Sequence, residues 1–225
     1  MALSFAHYAQ KRFFVQFFMG AVFVAILIGG WRFPLLGFFI PACMVLGMAI
    51  GAVRGRKWCD WYCPRGSFYD AWMSRLAMRK KIPPLFKDMR FRLAVLSLLM
   101  LAMASNLVMR WPKVDSIGTF FILMLTSTTA LGALLTVCSH QRSWCTICPI
   151  GTMIHLIGRK KYPLYIDSAA CVECKACQKV CPTQIAAYHF KQKDGARAVV
   201  LDGDCLKCDL CVQACPKKAL SREQY

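Results

Sequence analysis

Two cysteine runs constrain this chain more than anything else in it. Cys171, Cys174, Cys177 and Cys181 precede Pro182, and Cys205, Cys208, Cys211 and Cys215 precede Pro216. Both runs read C-x2-C-x2-C-x3-C-P, and the second lies 34 residues after the first. The lead-ins repeat too, as Tyr165-Ile166-Asp167 and Val200-Leu201-Asp202. Three thiolates at this spacing wrap one face of a cubic iron–sulfur cluster, and the fourth cysteine of each run reaches the other cluster. The expected sets are Cys171, Cys174, Cys177 and Cys215 for cluster one, and Cys205, Cys208, Cys211 and Cys181 for cluster two. Zinc sites usually draw their four ligands as separated pairs. Disulfides do not suit a domain in a reducing compartment. Between the runs, Ala186–Val200 is expected to form a hairpin around Lys193-Asp194-Gly195.

Outside these runs the chain is too apolar for an ordinary soluble domain. Of its 225 residues, 57% are hydrophobic and 18% charged, which excludes a disordered chain or a disulfide-stapled mini-protein. Four stretches contain no Asp, Glu, Lys or Arg: Phe13–Trp31, Phe33–Val53, Leu93–Met109 and Ile117–Cys138. A bilayer core of about 30 Å needs roughly 20 apolar residues, so four membrane spans are expected, the third drawing on its interfacial flanks. Lys11 and Arg12 before the first stretch resemble a signal-peptide start, but no small-residue cleavage pattern follows, and an anchored helix is expected.

The 29 Lys and Arg against 11 Asp and Glu give a net charge of +18. Spread over a soluble surface, that surplus would suggest nucleic acid. Instead, fourteen of these cations flank the four spans on one side, against Arg32, Arg110 and Lys113 on the other. The bias places both termini and the long middle loop in the cytoplasm. The charge therefore reads as a topology signal and an attraction to anionic membrane lipid, with no nucleic acid as partner. Within that loop, Gly66–Met78 reads as an amphipathic helix lying on the inner leaflet, ended by Pro83-Pro84. Near Arg159 the composition turns polar and cysteine-dense. The expected division is 1–158, a four-span transmembrane domain, and 159–225, a cytoplasmic two-cluster domain. The expected fold class is mainly α: a four-helix transmembrane domain followed by a small α+β ferredoxin-type domain with two [4Fe-4S] clusters.

A second duplication lies at the inner ends of spans two and four. Trp58-Cys59 leads to Cys63-Pro64-Arg65-Gly66, and Trp144-Cys145 leads to Cys148-Pro149-Ile150-Gly151. Two matching halves would bring both cysteine pairs together at the inner face. Cys59, Cys63, Cys145 and Cys148 could then hold a third iron–sulfur cluster, a zinc ion, or remain redox-active dithiols.

With both duplications in view, the tail from 165 to 220 resembles a bacterial two-cluster ferredoxin. The whole chain looks like the NapH-type membrane ferredoxins and is similar to the membrane portions of NosR-type proteins. The resemblance implies a multi-pass protein of the prokaryotic inner membrane. It would pass electrons between the quinone pool and partner redox proteins, as the electron-transfer subunit of a quinol/quinone oxidoreductase complex in a respiratory chain. Two departures stand out. The family pattern is C-x3-C-P twice, whereas Cys145 and Cys148 have two residues between them. The large extracytoplasmic domain of NosR-type proteins has no counterpart here, so their flavin does not carry over. The alternative reading is a membrane-bound redox assembly factor or metal reductase using the Cys-Pro pairs as working thiols; a purely structural anchor is a third.

The remaining conspicuous residues have plainer readings. No histidine lies in the middle of a span, which speaks against haem b; His140 and His155 read as satisfied interfacial side chains. Cys43 and Cys138 read as structural. Trp58, Trp61, Trp72 and Trp144 fit an interfacial aromatic belt. Lys175, Lys179, Lys207, Lys217 and Lys218 surround the ferredoxin-type cysteines, as a solvated surface or as a setting for anionic clusters. No acid–base or nucleophilic constellation is present, and no dinucleotide-binding motif.

Overall fold

The chain up to Gly158 contains one unit in two copies: a long apolar helix, a five-residue helix, and a helix opened by proline. The computed structural model describes residues 2–222. After α1 (Ala2–Gly29), a short 3-10 turn at Pro34–Phe38 leads into α2 (Phe39–Arg54), α3 (Lys57–Trp61) and α4 (Pro64–Ala71). Then α5 (Met89–Arg110) leads to the second copy: α6 (Val114–Cys138), α7 (Ser143–Ile147) and α8 (Pro149–Gly158). Four helical stretches are long and apolar enough to cross a membrane: Phe5–Gly29, Pro34–Arg54, Met89–Arg110 and Val114–Cys138. They cover the four apolar runs of the sequence except Gly30, Trp31 and Phe33, and their lipid-ready surfaces expose Phe14, Phe18, Val45 and Leu98.

Close approach of backbones fixes the interior. Gly47 and Gly51 of α2 lie against Ile150 and Ile154 of α8, and a methyl on Gly51 would meet Ile154 at 2.8 Å. Small residues four apart let helices approach and gain packing contacts where lipid offers no hydrophobic drive.

The segment after Cys63 differs from its expected form. Helix α4 starts at Pro64, where a ring that lacks an N–H costs nothing, and it ends at Ala71, well short of Met78. Its aromatic face is not spread on a leaflet. Phe68 packs on Phe23 and Trp72 stacks on Phe17, both of α1, while Tyr69 is fully buried. Protein takes up Phe68 and Tyr69 of the apolar face that the sequence pattern had offered to lipid, while Leu76 stays exposed.

Beyond Gly158 comes a small α+β unit: β1 (Leu164–Asp167), α9 (Ala176–Lys179), β2 (Arg197–Val200), α10 (Leu210–Ala214) and β3 (Leu220–Ser221). The sheet order is β2-β1-β3, antiparallel, with Leu164 opposite Val200 and Ile166 opposite both Ala198 and Leu220. The expected hairpin over Ala186–Val200 does not form. Ala187–Phe190 is a 3-10 turn, and β2 pairs with β1 instead. That pairing buries Leu164, Ile166, Ala198, Val200 and Leu220 in one core, against which six of the cysteines pack.

The 34-residue repeat is written in the backbone. Glu173 and Lys207, Lys175 and Asp209, and Gln184 and Lys218 are three repeat-related pairs, all with positive φ between 51° and 61°. Left-handed residues spaced along a loop turn successive N–H groups inward, the geometry that cradles anions.

Candidate functional site: three groups of cysteines and an arginine clasp

Within the α+β unit, Cys171, Cys174, Cys177 and Cys215 line one small pocket beside Tyr188 and Pro216. Cys181 and Cys215, the last cysteines of the two runs, have matching environments. Ile185 N donates to Cys181 Sγ and Ala219 N donates to Cys215 Sγ, each at 3.3 Å. Burial pushes the Cys181 thiol up, and Cys205 adds to the rise; burial likewise raises Cys211, with Cys205 and Cys181 adding to it. Neutral thiols are thus strongly favoured here unless a cation binds, which is the donor chemistry of a metal centre.

The membrane half holds the third group. Cys59, Cys63, Cys145 and Cys148 all line a single cavity of about 90 Å³, together with Cys43 and the apolar side chains of α2, α5 and α6. Each second cysteine caps a proline-opened helix: Cys63 precedes α4 and Cys148 precedes α8. Their carbonyls accept from Ser67 N at 2.9 Å and Thr152 N at 2.8 Å. Helix N-termini favour thiolates. The one-residue difference between the motifs is absorbed locally. Trp58 O accepts from both Tyr62 N and Cys63 N, whereas Trp144 O accepts from Cys148 N alone in the corresponding turn. One widened turn takes up the extra residue. Burial is the largest influence on Cys59, Cys63 and Cys145 and raises all three.

What holds the two halves in register is a pair of buried arginines that motif reading overlooked. Arg142 Nη1 donates to Cys59 O at 2.9 Å, and Arg56 Nη2 donates to Cys145 O at 2.7 Å. Both arginines are within 1% of full burial. The motif glycines sit on the same bonds. A Cβ on Gly66 would lie 2.9 Å from Cys59 O and 3.1 Å from Arg142, and one on Gly151 would lie 2.8 Å from Cys145 O and 3.1 Å from Arg56. The signal was present as a repeated Arg-x-Trp-Cys, at Arg56 to Cys59 and Arg142 to Cys145.

Carboxylates neutralise the clasp. Asp70 accepts from Arg142 and from Arg12, and Asp60 takes a two-pronged contact from Arg12. On the other side, Asp204 Oδ1 accepts from Arg56 at 2.7 Å, while Arg92 grips both of its oxygens at 2.7 and 2.6 Å. His155 lies 3.1 Å from the same carboxylate, which makes it a satisfied side chain. Burial works against both acids. Arg142 and Arg12 still hold Asp70 below the usual carboxylate range, and His155, Arg92 and Arg56 do the same for Asp204. Asp204 immediately precedes Cys205, so one carboxylate joins the second cysteine run, the third span and the first Cys-Pro motif. Cys208 and Cys59 also share one packed cluster with Trp58 and Ile154.

Several surface expectations are corrected by this packing. Trp58 is 7% and Trp144 3% exposed; Trp144 walls the cysteine cavity and Trp58 packs with Cys59 and Ile154, so both are taken up by protein and not by an interfacial belt. Lys207 is buried, not part of a solvated surface, with its Nζ lacking a hydrogen-bond partner among the described residues. Burial pushes that ammonium down against the pull of Cys205. Cys43 packs beside Cys59, while Cys138 is exposed. Among the described residues, no three His, Cys, Asp or Glu side chains converge closely enough for a single metal ion. The wider cysteine pockets have the donor type that an iron–sulfur cluster needs.

A multi-spanning helical domain fused to a duplicated cysteine module defines a membrane iron–sulfur protein. Comparison with known proteins agrees. Residues 163–216 match a 4Fe-4S dicluster domain, and residues 36–83 and 119–164 each match a 4Fe-4S binding domain, one per Cys-Pro motif. The ferredoxin-type protein NapH of Haemophilus influenzae is 30% identical over 178 residues, covering 74% of this chain and 62% of that protein. The methylamine utilization ferredoxin-type protein MauN of Paracoccus denitrificans is 29% identical over 192 residues, covering 78% and 64%. An uncharacterized protein of Methanocaldococcus jannaschii is 25% identical over 226 residues, covering 95% and 84%. The chain thus spans less than two thirds of the NapH and MauN relatives. No solved structure matches it. The chain belongs to the NapH-type ferredoxins, with the 4Fe-4S domains of an iron–sulfur protein and helices long enough to cross a membrane.

Proposed function

We propose that the protein carries electrons between quinone and a partner redox subunit through three iron–sulfur centres. Cluster one is held by Cys171, Cys174, Cys177 and Cys215, and cluster two by Cys205, Cys208, Cys211 and Cys181. The third centre is held by Cys59, Cys63, Cys145 and Cys148, and the termini and ferredoxin-type domain face the cytoplasm. Bound clusters supply one-electron transfer; the chain supplies position, insulation and charge. Quinone as the exchange partner, and a partner subunit of a respiratory complex, rest on the NapH likeness.

The observation that carries the reading is the shared cavity of the four Cys-Pro cysteines, which sequence distance alone would not bring together. The contact of Cys208 with the Cys59 cluster supports the order cluster one, cluster two, inner-face centre. Trp144 and the methionines of α2, α5 and α6 give the inner site an apolar wall. Alkylation of the intact protein separates this reading from working thiols. Protection of Cys59, Cys63, Cys145 and Cys148 until iron is chelated is expected; ready labelling of the holoprotein contradicts it.

A further inference from the structure

The two Cys-Pro motifs share Arg-x-Trp-Cys and Cys-Pro-x-Gly, and they differ in charge at the position between proline and glycine. Arginines, cysteines, prolines and glycines correspond, yet Arg65 of the first motif faces Ile150 of the second. Arg65 lines the cysteine cavity. Its guanidinium donates to Cys148 Sγ at 3.3 Å and to Thr128 Oγ1 at 3.0 Å, and lies 5.2 Å from the Trp144 ring.

Its charge is unlike that of the other arginines here. Arg12, Arg56, Arg92 and Arg142 each pair with an aspartate. Among the described residues, no carboxylate forms an ion pair with Arg65. A guanidinium remains charged in proteins, and a charge half-buried in an apolar cavity wall without a counter-ion is costly. The nearest group able to carry the opposite charge among its described hydrogen-bond partners is the Cys148 sulfur. In the ferredoxin-type unit, by contrast, Cys181 and Cys215 sulfurs accept from backbone N–H groups.

Resting on the three-centre reading, we propose that Arg65 is a positioning and charge-setting residue for the inner-face centre. Through its bond to Cys148 it raises the reduction potential of that centre and makes it the high-potential end of the electron path. Hydrogen bonds and nearby charge at ligand sulfurs are established controls of cluster potential. The asymmetry also distinguishes the Cys148 side of the centre from the Cys63 side.

The test is a redox titration followed by EPR on the purified, iron-loaded full chain, comparing the parent with Arg65→Gln and Arg65→Lys. Gln keeps polar contacts without the charge; Lys keeps the charge without the fork. In Arg65→Gln the inner-face signal should be at least tenfold harder to reduce, a fall of about 59 mV for a one-electron couple. Arg65→Lys should recover most of that shift, and the two ferredoxin-type signals should not move. An inner-face midpoint unchanged in Arg65→Gln, equal shifts in both variants, or parallel movement of all signals would overturn the proposal. If Arg65→Gln fails to hold the centre, the Lys variant decides, since a tenfold or larger fall there contradicts charge control. A Cys145→Ser sample run alongside tests the underlying reading separately: retention of every signal there removes the inner-face centre itself.

Discussion

Arg56 reaches across the repeat to the carbonyl of Cys145 at 2.7 Å. Arg142 returns the bond to Cys59 at 2.9 Å, so each Cys-Pro motif is held by an arginine from the other. The crossed bonds tie the two motifs together where the four cysteines line one cavity. Truncating either arginine leaves a carbonyl without its donor and takes one of the cations from a buried carboxylate. Arg142→Met should cost about 3–5 kcal/mol, the usual penalty for breaking a buried pair from one side. Thermal unfolding in detergent should show a large drop in midpoint. Arg56→Lys should recover little, because one ammonium cannot serve Asp204 and Cys145 O with a guanidinium's geometry.

The motif glycines make a sharper test, since they carry no charge. A methyl at Gly151 would sit 2.8 Å from Cys145 O and 3.1 Å from Arg56, so the clasp must open to admit it. Gly66→Ala and Gly151→Ala should each lower iron content and remove the inner-face EPR signal while sparing the ferredoxin-type signals. A normal inner-face signal in both would show that the clasp is not needed to shape the site.

Asp70 gives the fold an acid limit. Burial opposes its ionisation, but Arg142 and Arg12 outweigh that and hold it below the usual range. With a depressed folded-state pKa, its stabilisation is fully present above the unfolded carboxylate value, about 3.9. It is lost as pH falls from there through the folded value. The difference in unfolding temperature between the parent and Asp70→Asn should therefore stay constant from neutral pH to about 5 and shrink only below about 4. A difference that already fades between about pH 7 and 6 would assign the stability to another group, such as a histidine.

Asp204 joins the two parts of the protein through Arg56, Arg92 and His155. Asp204→Ala would leave Arg56 and Arg92 facing each other unneutralised. Hydrogen exchange should then speed up in α8 and in the 200–205 segment, with β1 and β2 still protected. Unchanged exchange in α8 would mean that apolar contact between Cys208, Cys59 and Ile154 suffices to dock the ferredoxin-type unit.

Much of this protein is legible in its sequence because the decisive signals are local. The spacing of Cys171 to Cys181 and Cys205 to Cys215 is a property of single loops, and the spans are continuous apolar runs. What could not be read depends on distant partners. The Phe68 and Trp72 face looked lipid-bound because nothing local reveals that α1 receives it. The strand after Gly195 looked like half of a hairpin because its true partner, β1, lies some thirty residues earlier. Arg56 and Arg142 passed as orientation charges among many others, although Arg-x-Trp-Cys repeats as clearly as Cys-Pro-x-Gly. Counting them with the topology signal concealed their second use at the cysteine site.

The central claim is that this chain builds three iron–sulfur centres, the third from both halves of a duplicated membrane domain. Anaerobic purification with iron analysis and EPR tests it most directly, on the parent and on Cys59→Ser and Cys145→Ser. Three cubanes predict about twelve irons per chain in the parent and about eight in either variant, with only the inner-face signal lost. About eight irons in all three proteins, with identical spectra, would contradict it.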